Sequence, residues 1–217
     1  YTYTDALALC RDGITGNRGL LQKVNDATPD LQVQALAYEA SGTTGKLYTI
    51  KPLQIQNEDD PVVLGKLKKS DLIKLYGNYL VGKKKPARAV YDALMLAADE
   101  KCPFCGGIGR PRNLDHYLPK AHFPQFSIVP VNLVPSCRDC NMDGKGENFA
   151  VTEAEQVIQP YLDDDRYFNE QWLYARYLPG NDIEPGVIEY FVFPPDHWEA
   201  AQKKRVEKHF KDFELAL

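Results

Sequence analysis

The chain has 217 residues, of which 44% are hydrophobic and 26% charged, the composition of a soluble globular protein with room for one large domain or two small ones. No run approaches the roughly 18 consecutive apolar residues that indicate a membrane span, and no basic-then-apolar leader opens the chain, so we expect a cytoplasmic protein with no membrane partner. The net charge of −4 argues against a simple basic nucleic-acid binder.

Residues 1–60 predict a mostly helical N-terminal region. A capping residue opens a helix in "YTDALALCRDG" that ends at Gly13, and a second helix is predicted in "PDLQVQALAYEAS", with Pro29 in its first turn and its end before Gly42. The stretch "KLYTIKPLQI" (46–55) is predicted to be extended. The following "NEDDP" (57–61) has the composition of a linker.

Residues 61–100 predict a helical segment that packs on the part of the chain after it. Helices are expected in "SDLIKLYGNYL" (70–80) and in "PARAVYDALMLAADE" (86–100), because apolar residues recur there at helical spacing. The stretch "VGKKK" separates the two.

The charge balance changes in the middle of the chain. Residues 61–148 contain 14 Lys and Arg against 8 Asp and Glu, a net charge of +6, whereas the remainder contains 12 basic and 22 acidic residues, a net charge of −10. This pattern favours a central segment that faces a polyanion, with flanks that face water or another protein. A solvated lysine-rich face is the alternative.

Residues 101–150 are dense in Gly, Pro, Cys and Asn, and they lack the apolar periodicity needed for a core of their own. Small domains of this kind need a staple such as a metal. Two knuckles are present, Cys102-x2-Cys105 and Cys137-x2-Cys140, with 31 residues between them. They can present four thiolates to a structural zinc ion, which leaves no open position for a substrate. Unrelated pairs or a redox pair are the alternatives, and neither explains two knuckles around one polar segment. The fifth cysteine, Cys10, is expected to be a buried thiol.

Residues 151–217 form an acidic and aromatic region. A strand is predicted in "VIEYFVFPP" and a closing helix in "DHWEAAQKKRVEKHFKDFEL", with Asp196 and Glu199 as its capping box. The expected fold class is therefore α+β and mainly helical.

Five polar residues lie between and beside the knuckles. Asp115 and His116 stand in "LDHYLPK", Asn132 in "VNLVPSC", and Asn141 and Lys145 in "CNMDGK". Any one of them alone would be read as a turn or a loop cap. An imidazole is suited to accept a proton from water, and carboxylate and amide oxygens are the ligands that Mg2+ prefers.

With the four cysteines, this order of residues resembles the HNH family of nucleases, also called His-Me finger or ββα-metal nucleases. The matching features are an Asp-His pair at a strand end, an Asn-Leu before the second knuckle and a residue directly after the last cysteine. That last residue is histidine in many members and Asn141 here. The motif runs from Cys102 to Lys145. The resemblance implies a zinc-stapled ββα-metal core at 101–150, flanked by N-terminal helices and a C-terminal strand-helix segment.

The resemblance also implies roles for these residues. His116 would be the general base, Asp115 and Asn141 would hold a catalytic Mg2+ or Mn2+ ion, and Asn132 would brace the loop that positions the histidine. Lys145 would contact the phosphate. The substrate would be DNA, with RNA also possible. His122 is not one of the residues that match the motif and is interpreted as a loop residue.

The flanks resemble a narrower group, the bacterial HNH proteins of Septu and retron type, which are encoded beside an ABC-type ATPase in anti-phage defence. The matching stretches include "PARAVYDALM", "CPFCG" and "EYFVFPPDHWEAAQKKRVEKHF". This implies an effector subunit with an ATPase partner. Two other functions stay open: a non-catalytic zinc module that binds nucleic acid or protein, and a nuclease of a mobile element.

Overall fold

The computed structural model describes residues 1–54, 59–181 and 183–216. Within these ranges the protein is α+β, as predicted, with helices throughout and three antiparallel two-stranded sheets. No described helix combines the length and the apolar character that crossing a membrane requires.

Helix α1 (Tyr3–Gly13) has the predicted bounds. The Thr2 hydroxyl accepts a hydrogen bond from the Asp5 backbone N–H, and the Asp5 carboxylate accepts one from the Thr2 backbone N–H. This capping box satisfies two amide groups that the helix itself leaves free. Leu7 and Cys10 are buried against the rest of the core, and Cys10 is therefore the buried thiol that was expected.

Helix α2 (Arg18–Thr43) is one continuous helix with Pro29 inside it, so the prediction that Pro29 opens the helix is wrong. A proline in a helix interior costs about 3 kcal/mol. Buried side chains continue at helical spacing on both sides of it, and each large one contributes about 1.5–3 kcal/mol. These buried residues are Leu20, Val24, Ala27, Leu31, Ala35 and Tyr38. Their combined burial outweighs the cost of the proline.

The prediction that residues 46–55 are extended is wrong in the described part of this segment, where Leu47–Thr49 form a 3-10 turn. Leu47 is buried, and the Tyr48 backbone N–H donates to the Gln156 side chain at 2.9 Å, so a distant residue decides this conformation. Ile55 and the first two residues of the predicted linker, 57 and 58, lie outside the described residues. A short unpredicted hairpin follows, with β1 (Val62–Leu64) and β2 (Leu67–Lys68).

The two predicted helices of the next segment are confirmed. Helix α3 (Lys69–Lys74) continues directly into a π-helical turn, Leu75–Leu80, and helix α4 is Arg88–Ala97. The wider π turn places Tyr76 beside the central hairpin, where its hydroxyl donates to the Leu114 carbonyl at 2.9 Å.

That central hairpin pairs β3 (Asn113–His116) with β4 (Leu133–Ser136). The antiparallel register joins Asn113 to Ser136 at one end and His116 to Leu133 at the other. A helical turn of π type, Asp139–Lys145, follows β4 after two residues. The Asp-His pair therefore stands at the end of a strand, as predicted.

The C-terminal region contains α5 (Arg166–Asn169), the hairpin of β5 (Leu173–Leu178) with β6 (Val187–Val192), and α6 (Ala200–Asp212). The predicted strand and closing helix are confirmed, and β5 was not predicted. The predicted capping box is wrong, because Glu199 itself is the N-cap residue and pairs with Gln202. Helix α6 therefore starts about one turn later than its sequence pattern indicates.

One hydrophobic core joins the N-terminal helices to the central segment. Residues such as Leu31, Leu72, Phe126 and Val134 belong to a single buried cluster. A second, smaller cluster holds Ile158, Tyr167, Trp198 and Val206 under the C-terminal region. The apolar residues of the central segment thus pack in one core with α1, α2 and α3. This agrees with the sequence, in which the central segment has too few apolar residues for a core of its own.

Candidate metal centre and polar pocket

The four cysteines of the two knuckles come together in one buried cluster. The sulfur atoms of Cys102, Cys105, Cys137 and Cys140 all lie within 4.8 Å of one another. Four thiolates about 2.3 Å from a zinc ion at the centre of a tetrahedron would stand roughly 3.8 Å apart. The arrangement fits zinc, and the predicted convergence of the cysteines is confirmed.

Backbone amides support the sulfur atoms. The Gly109 N–H donates to Cys105 Sγ at 3.2 Å, and the Cys140 N–H lies 3.5 Å from Cys137 Sγ. Such bonds favour the thiolate, which is the form that binds a metal. A Cβ atom on Gly109 would lie 2.6 Å from Cys137 Sγ, so only glycine fits beside the cluster.

Helix α6 covers the first knuckle. Phe213 stacks on Phe104 with ring centroids 4.7 Å apart. His209 Nε2 donates to the Phe104 carbonyl at 2.7 Å, and His209 Nδ1 accepts from the Ile158 N–H at 3.2 Å. Both ring nitrogens are therefore used in the neutral form, and burial lowers the pKa of His209 to about 4. His209 is therefore a packing residue.

A polar pocket of about 280 Å3 lies at the end of the central hairpin. Three of the predicted site residues line it: Asp115, His116 and Asn141. Neighbouring side chains on a strand point to opposite faces, but β3 ends at His116, so both members of the pair reach one space. The other lining residues are Pro119, Lys120, Ala121, Met142, Gly146 and Glu147.

The ring of His116 is held in one orientation and one protonation state. Its Nε2 donates to the Ser127 carbonyl at 3.0 Å, and the edge of the ring meets Tyr76 at a centroid distance of 4.4 Å. Burial lowers the pKa of His116 to about 3, so the imidazole is neutral. Because the hydrogen is on Nε2, Nδ1 keeps its lone pair and can accept a proton.

Asn132 is fully buried and does not line the pocket. Its Oδ1 accepts from the Leu118 N–H at 2.7 Å, and its Nδ2 donates to the carbonyls of Leu118 and Phe126, both at 3.2 Å. These bonds clamp the two sides of the loop that joins β3 to β4. The residue after Phe126 is Ser127, whose carbonyl holds His116. Asn132 is therefore placed to brace the histidine indirectly.

Asp115 and Lys145 form a buried ion pair. Lys145 Nζ lies 3.2 Å from Asp115 Oδ2, and the side chains are 5% and 9% exposed, respectively. Burial raises the pKa of Asp115 and lowers the pKa of Lys145, and the attraction between the two charges opposes both shifts. Lys145 therefore contacts a carboxylate here instead of facing solvent.

Asn141 follows Cys140 directly and turns its amide toward β3. Its Nδ2 donates to Asn113 Oδ1 at 3.0 Å, and its own Oδ1 accepts no hydrogen bond from the described residues. Asn141 Oδ1 is thus open to a hard cation, whereas Asp115 Oδ2 already faces the Lys145 ammonium. A carboxylate and an amide oxygen together are a donor set that fits Mg2+ or Mn2+.

The sequence did not single out Lys120, Glu147, Tyr76 or Ser127. Lys120 closes the "LDHYLPK" stretch and Glu147 follows Lys145 by two residues, so proximity in sequence could have indicated both. The contacts of Tyr76 and Ser127 with His116 depend on tertiary packing. His122 does not line the pocket, and its ring lies against Phe149.

Comparison with known proteins gives one clear relative. Protein Ea31 of Escherichia phage lambda is 43% identical to this chain over 218 residues, and the match covers 99% of the chain and 71% of the phage protein. No protein-family model and no solved structure matches the chain. At this identity and coverage, the chain belongs to the family of the phage lambda protein Ea31.

Proposed function

We propose that the protein is a metal-dependent endonuclease of the HNH type that hydrolyses phosphodiester bonds, with DNA as its main substrate. One observation carries the proposal: a neutral buried imidazole, a carboxylate and an amide oxygen line a single pocket. Asp115 and His116 lie on the hairpin, Asn141 lies on the helical turn after it, and both elements adjoin the four-cysteine cluster. This combination supports the resemblance drawn from the sequence.

His116 is the general base in this proposal. Its Nε2 is occupied by the Ser127 carbonyl, so a water molecule in the pocket would lose its proton to Nδ1. A pKa of about 3 keeps the ring unprotonated at neutral pH but also makes it a weak base. A bound phosphate anion raises the pKa of a nearby imidazole. Proton transfer is therefore favoured only when substrate is present.

Asp115 and Asn141 would hold the Mg2+ or Mn2+ ion. When bound, such an ion neutralises charge on the phosphate and on the leaving oxygen. Asn113 orients the Asn141 amide, and Asn132 keeps the loop that supports His116 in place. The zinc held by the cysteines would be structural, because four sulfur ligands leave no open position.

The basic central segment favours a polyanionic substrate. Residues 61–148, which carry the net charge of +6, contain both knuckles and all the pocket residues. Phosphate contacts by lysine and arginine do not depend on base sequence. We therefore expect modest sequence preference, and RNA remains a second substrate class to be tested.

A plasmid cleavage assay tests the proposal. The zinc-loaded protein is incubated with supercoiled plasmid and Mg2+ or Mn2+, and we expect nicked or linear products. His116→Ala should lower the rate by about 10²–10⁴-fold, because a general base is lost. His122→Ala is the matched control and should cleave normally, because His122 lies outside the pocket.

Two results would contradict the proposal. Cleavage by His116→Ala at the normal rate would show that His116 is not the general base. Failure of the unaltered protein to cleave either DNA or RNA, with nucleic-acid binding intact, would favour a non-catalytic zinc module.

We also propose that an ABC-type ATPase is the partner, with the acidic flanks and exposed aromatic side chains of the C-terminal hairpin as docking surfaces. Tyr177, Ile188 and Tyr190 lie on one uncharged and exposed face of that hairpin. Co-expression with an ABC-type ATPase from the same genome, followed by size-exclusion chromatography, should give one complex. Separate elution at micromolar concentration would contradict the partnership.

A further inference from the structure

We propose that Lys145 is a built-in counter-ion that occupies the Asp115 carboxylate and has to leave it before a divalent cation binds there. The inference rests on the proposed function of the same pocket. It gives Lys145 a role in regulating that pocket, where the sequence motif implied a contact with phosphate.

The first observation is the position of the ammonium. Lys145 Nζ is 3.2 Å from Asp115 Oδ2, the oxygen that has no hydrogen-bond donor among the described residues. The other polar contact of the ammonium in the described chain is the Gly146 carbonyl, at 3.3 Å. A lysine with 5% exposure is unusual and requires a partner. Here that partner is a candidate metal ligand.

The second observation is the balance of charge. Asp115 and Lys145 together are neutral. A divalent ion beside Asp115 would place three positive charges next to one carboxylate, in a site that water screens poorly. The ammonium and the metal ion would therefore repel each other and compete for one carboxylate.

The third observation is that the lysine has space on its other side. Lys145 does not line the first pocket but lines a second one, of about 310 Å3, which is also lined by Glu155 and by the Lys208–Asp212 ion pair. Glu147, which lines the first pocket, attracts the Lys145 charge. Lys145 thus lies beside Asp115 with a second pocket next to it, and carboxylates other than Asp115 are near enough to attract an ammonium that leaves Asp115.

The test measures the affinity of the full zinc-loaded chain for Mn2+, by the loss of the free Mn2+ signal in electron paramagnetic resonance at constant pH. Lys145→Met should bind Mn2+ at least roughly tenfold more tightly than the unaltered protein, because the interaction of two charges in contact exceeds the energy of a tenfold change. Lys145→Arg keeps the charge and should bind like the unaltered protein.

Lys120→Met is the matched control. Lys120 lines the same pocket, but within the described chain it forms no ion pair with Asp115. Its loss removes the same charge without freeing the carboxylate, so we expect a much smaller gain in affinity. Equal gains for Lys120→Met and Lys145→Met would overturn the inference, because the effect would then be general electrostatics. Unchanged or weaker binding by Lys145→Met would also overturn it.

Asp115→Asn separates this inference from the proposed function. If Asp115→Asn abolishes Mn2+ binding and Lys145→Met leaves it unchanged, the metal site stands and the counter-ion role fails. If Asp115→Asn binds Mn2+ normally, the proposed metal site itself is wrong, and the inference fails with it. Zinc content and circular dichroism identify variants that do not fold, and Lys145→Gln then replaces Lys145→Met.

Discussion

His116 shows how single residues define the pocket. Its protonation state depends on burial and on the Ser127 carbonyl, and Ser127 is positioned by a loop that Asn132 closes. The resemblance to the HNH motif singled out His116 and Asn132. It could not identify Ser127, because a backbone carbonyl leaves no trace in the choice of side chain.

Asn132→Ala tests the loop clamp. The change leaves the buried Leu118 N–H and the Leu118 carbonyl without their Asn132 partners, whereas the Phe126 carbonyl keeps the Val129 N–H, and each buried unsatisfied group costs about 1–3 kcal/mol. We expect the free energy of unfolding to fall by roughly 2–4 kcal/mol in urea denaturation. Asn148→Ala, at an exposed asparagine, should stay within about 0.5 kcal/mol of the unaltered protein. Similar losses for the two variants would show that Asn132 has no special structural role.

Among the secondary-structure elements, the helical turn after β4 and helix α6 are in close contact. They approach closely at Gly144, where a Cβ atom would lie 2.7 Å from the Asp212 carbonyl and 3.1 Å from the Phe213 ring. This contact fixes α6 against the turn that carries Asn141 and Lys145. The sequence showed a glycine in "CNMDGK" but not the helix that packs on it.

Gly144→Ala should force this contact apart. Overpacking of this kind costs about 1–3 kcal/mol, and we expect a loss of that size in thermal or urea unfolding. Gly77→Ala is the matched control, because a Cβ there meets nothing within 4 Å. Because Gly77 lies in the π-helical turn, Gly77→Ala should leave the free energy of unfolding unchanged or raise it by up to about 1 kcal/mol. The prediction fails if both variants shift stability in the same direction.

His209 makes the attachment of α6 dependent on pH. Its pKa in the folded protein is about 4, below the ordinary value of 6.5, because burial disfavours the charged form of the ring. A lowered pKa means that the stabilisation is complete above pH 6.5 and is lost as the pH falls toward 4. The loss amounts to about 3 kcal/mol.

The free energy of unfolding, measured by urea denaturation between pH 7 and pH 4.5, tests this dependence. His209→Gln should show a flatter pH profile than the unaltered protein, with the remaining slope due in part to His116. His197→Gln, at an exposed histidine, should keep the original profile. A His209→Gln profile as steep as the original would exclude His209 as a main source of the pH dependence.

The four-cysteine cluster belongs to the core that the central segment shares with the N-terminal helices, so we expect zinc bound there to stabilise the whole molecule. Metal analysis should find about one zinc ion per chain. Removal of zinc with a strong chelator under denaturing conditions, followed by refolding, should give a chain with a much lower melting temperature. Cys140→Ser should lose zinc, whereas Cys10→Ala should keep it, since Cys10 lies apart from the cluster. Full zinc content in Cys140→Ser would contradict the site.

At this scale the sequence predicted the α+β class, helices α1, α3, α4 and α6, the strand β6 and the meeting of the four cysteines. Local patterns determine these features. The start of α2 and the turn at Leu47–Thr49 were missed because burial and a contact with Gln156 override local preference. The Asp115–Lys145 pair was missed for the same reason, since no sequence rule places an ammonium on a particular carboxylate.

Because α6 covers the first knuckle, the parts of the protein have to fold in a certain order during synthesis. The ribosome completes the four cysteines well before it reaches His209 and Phe213, the residues that close over Phe104. A nascent chain folds as its segments emerge, so the thiols meet solvent before their cover exists. A zinc ion can reach them directly in that interval, and the pocket that Asn141 lines gains its final shape only when α6 docks.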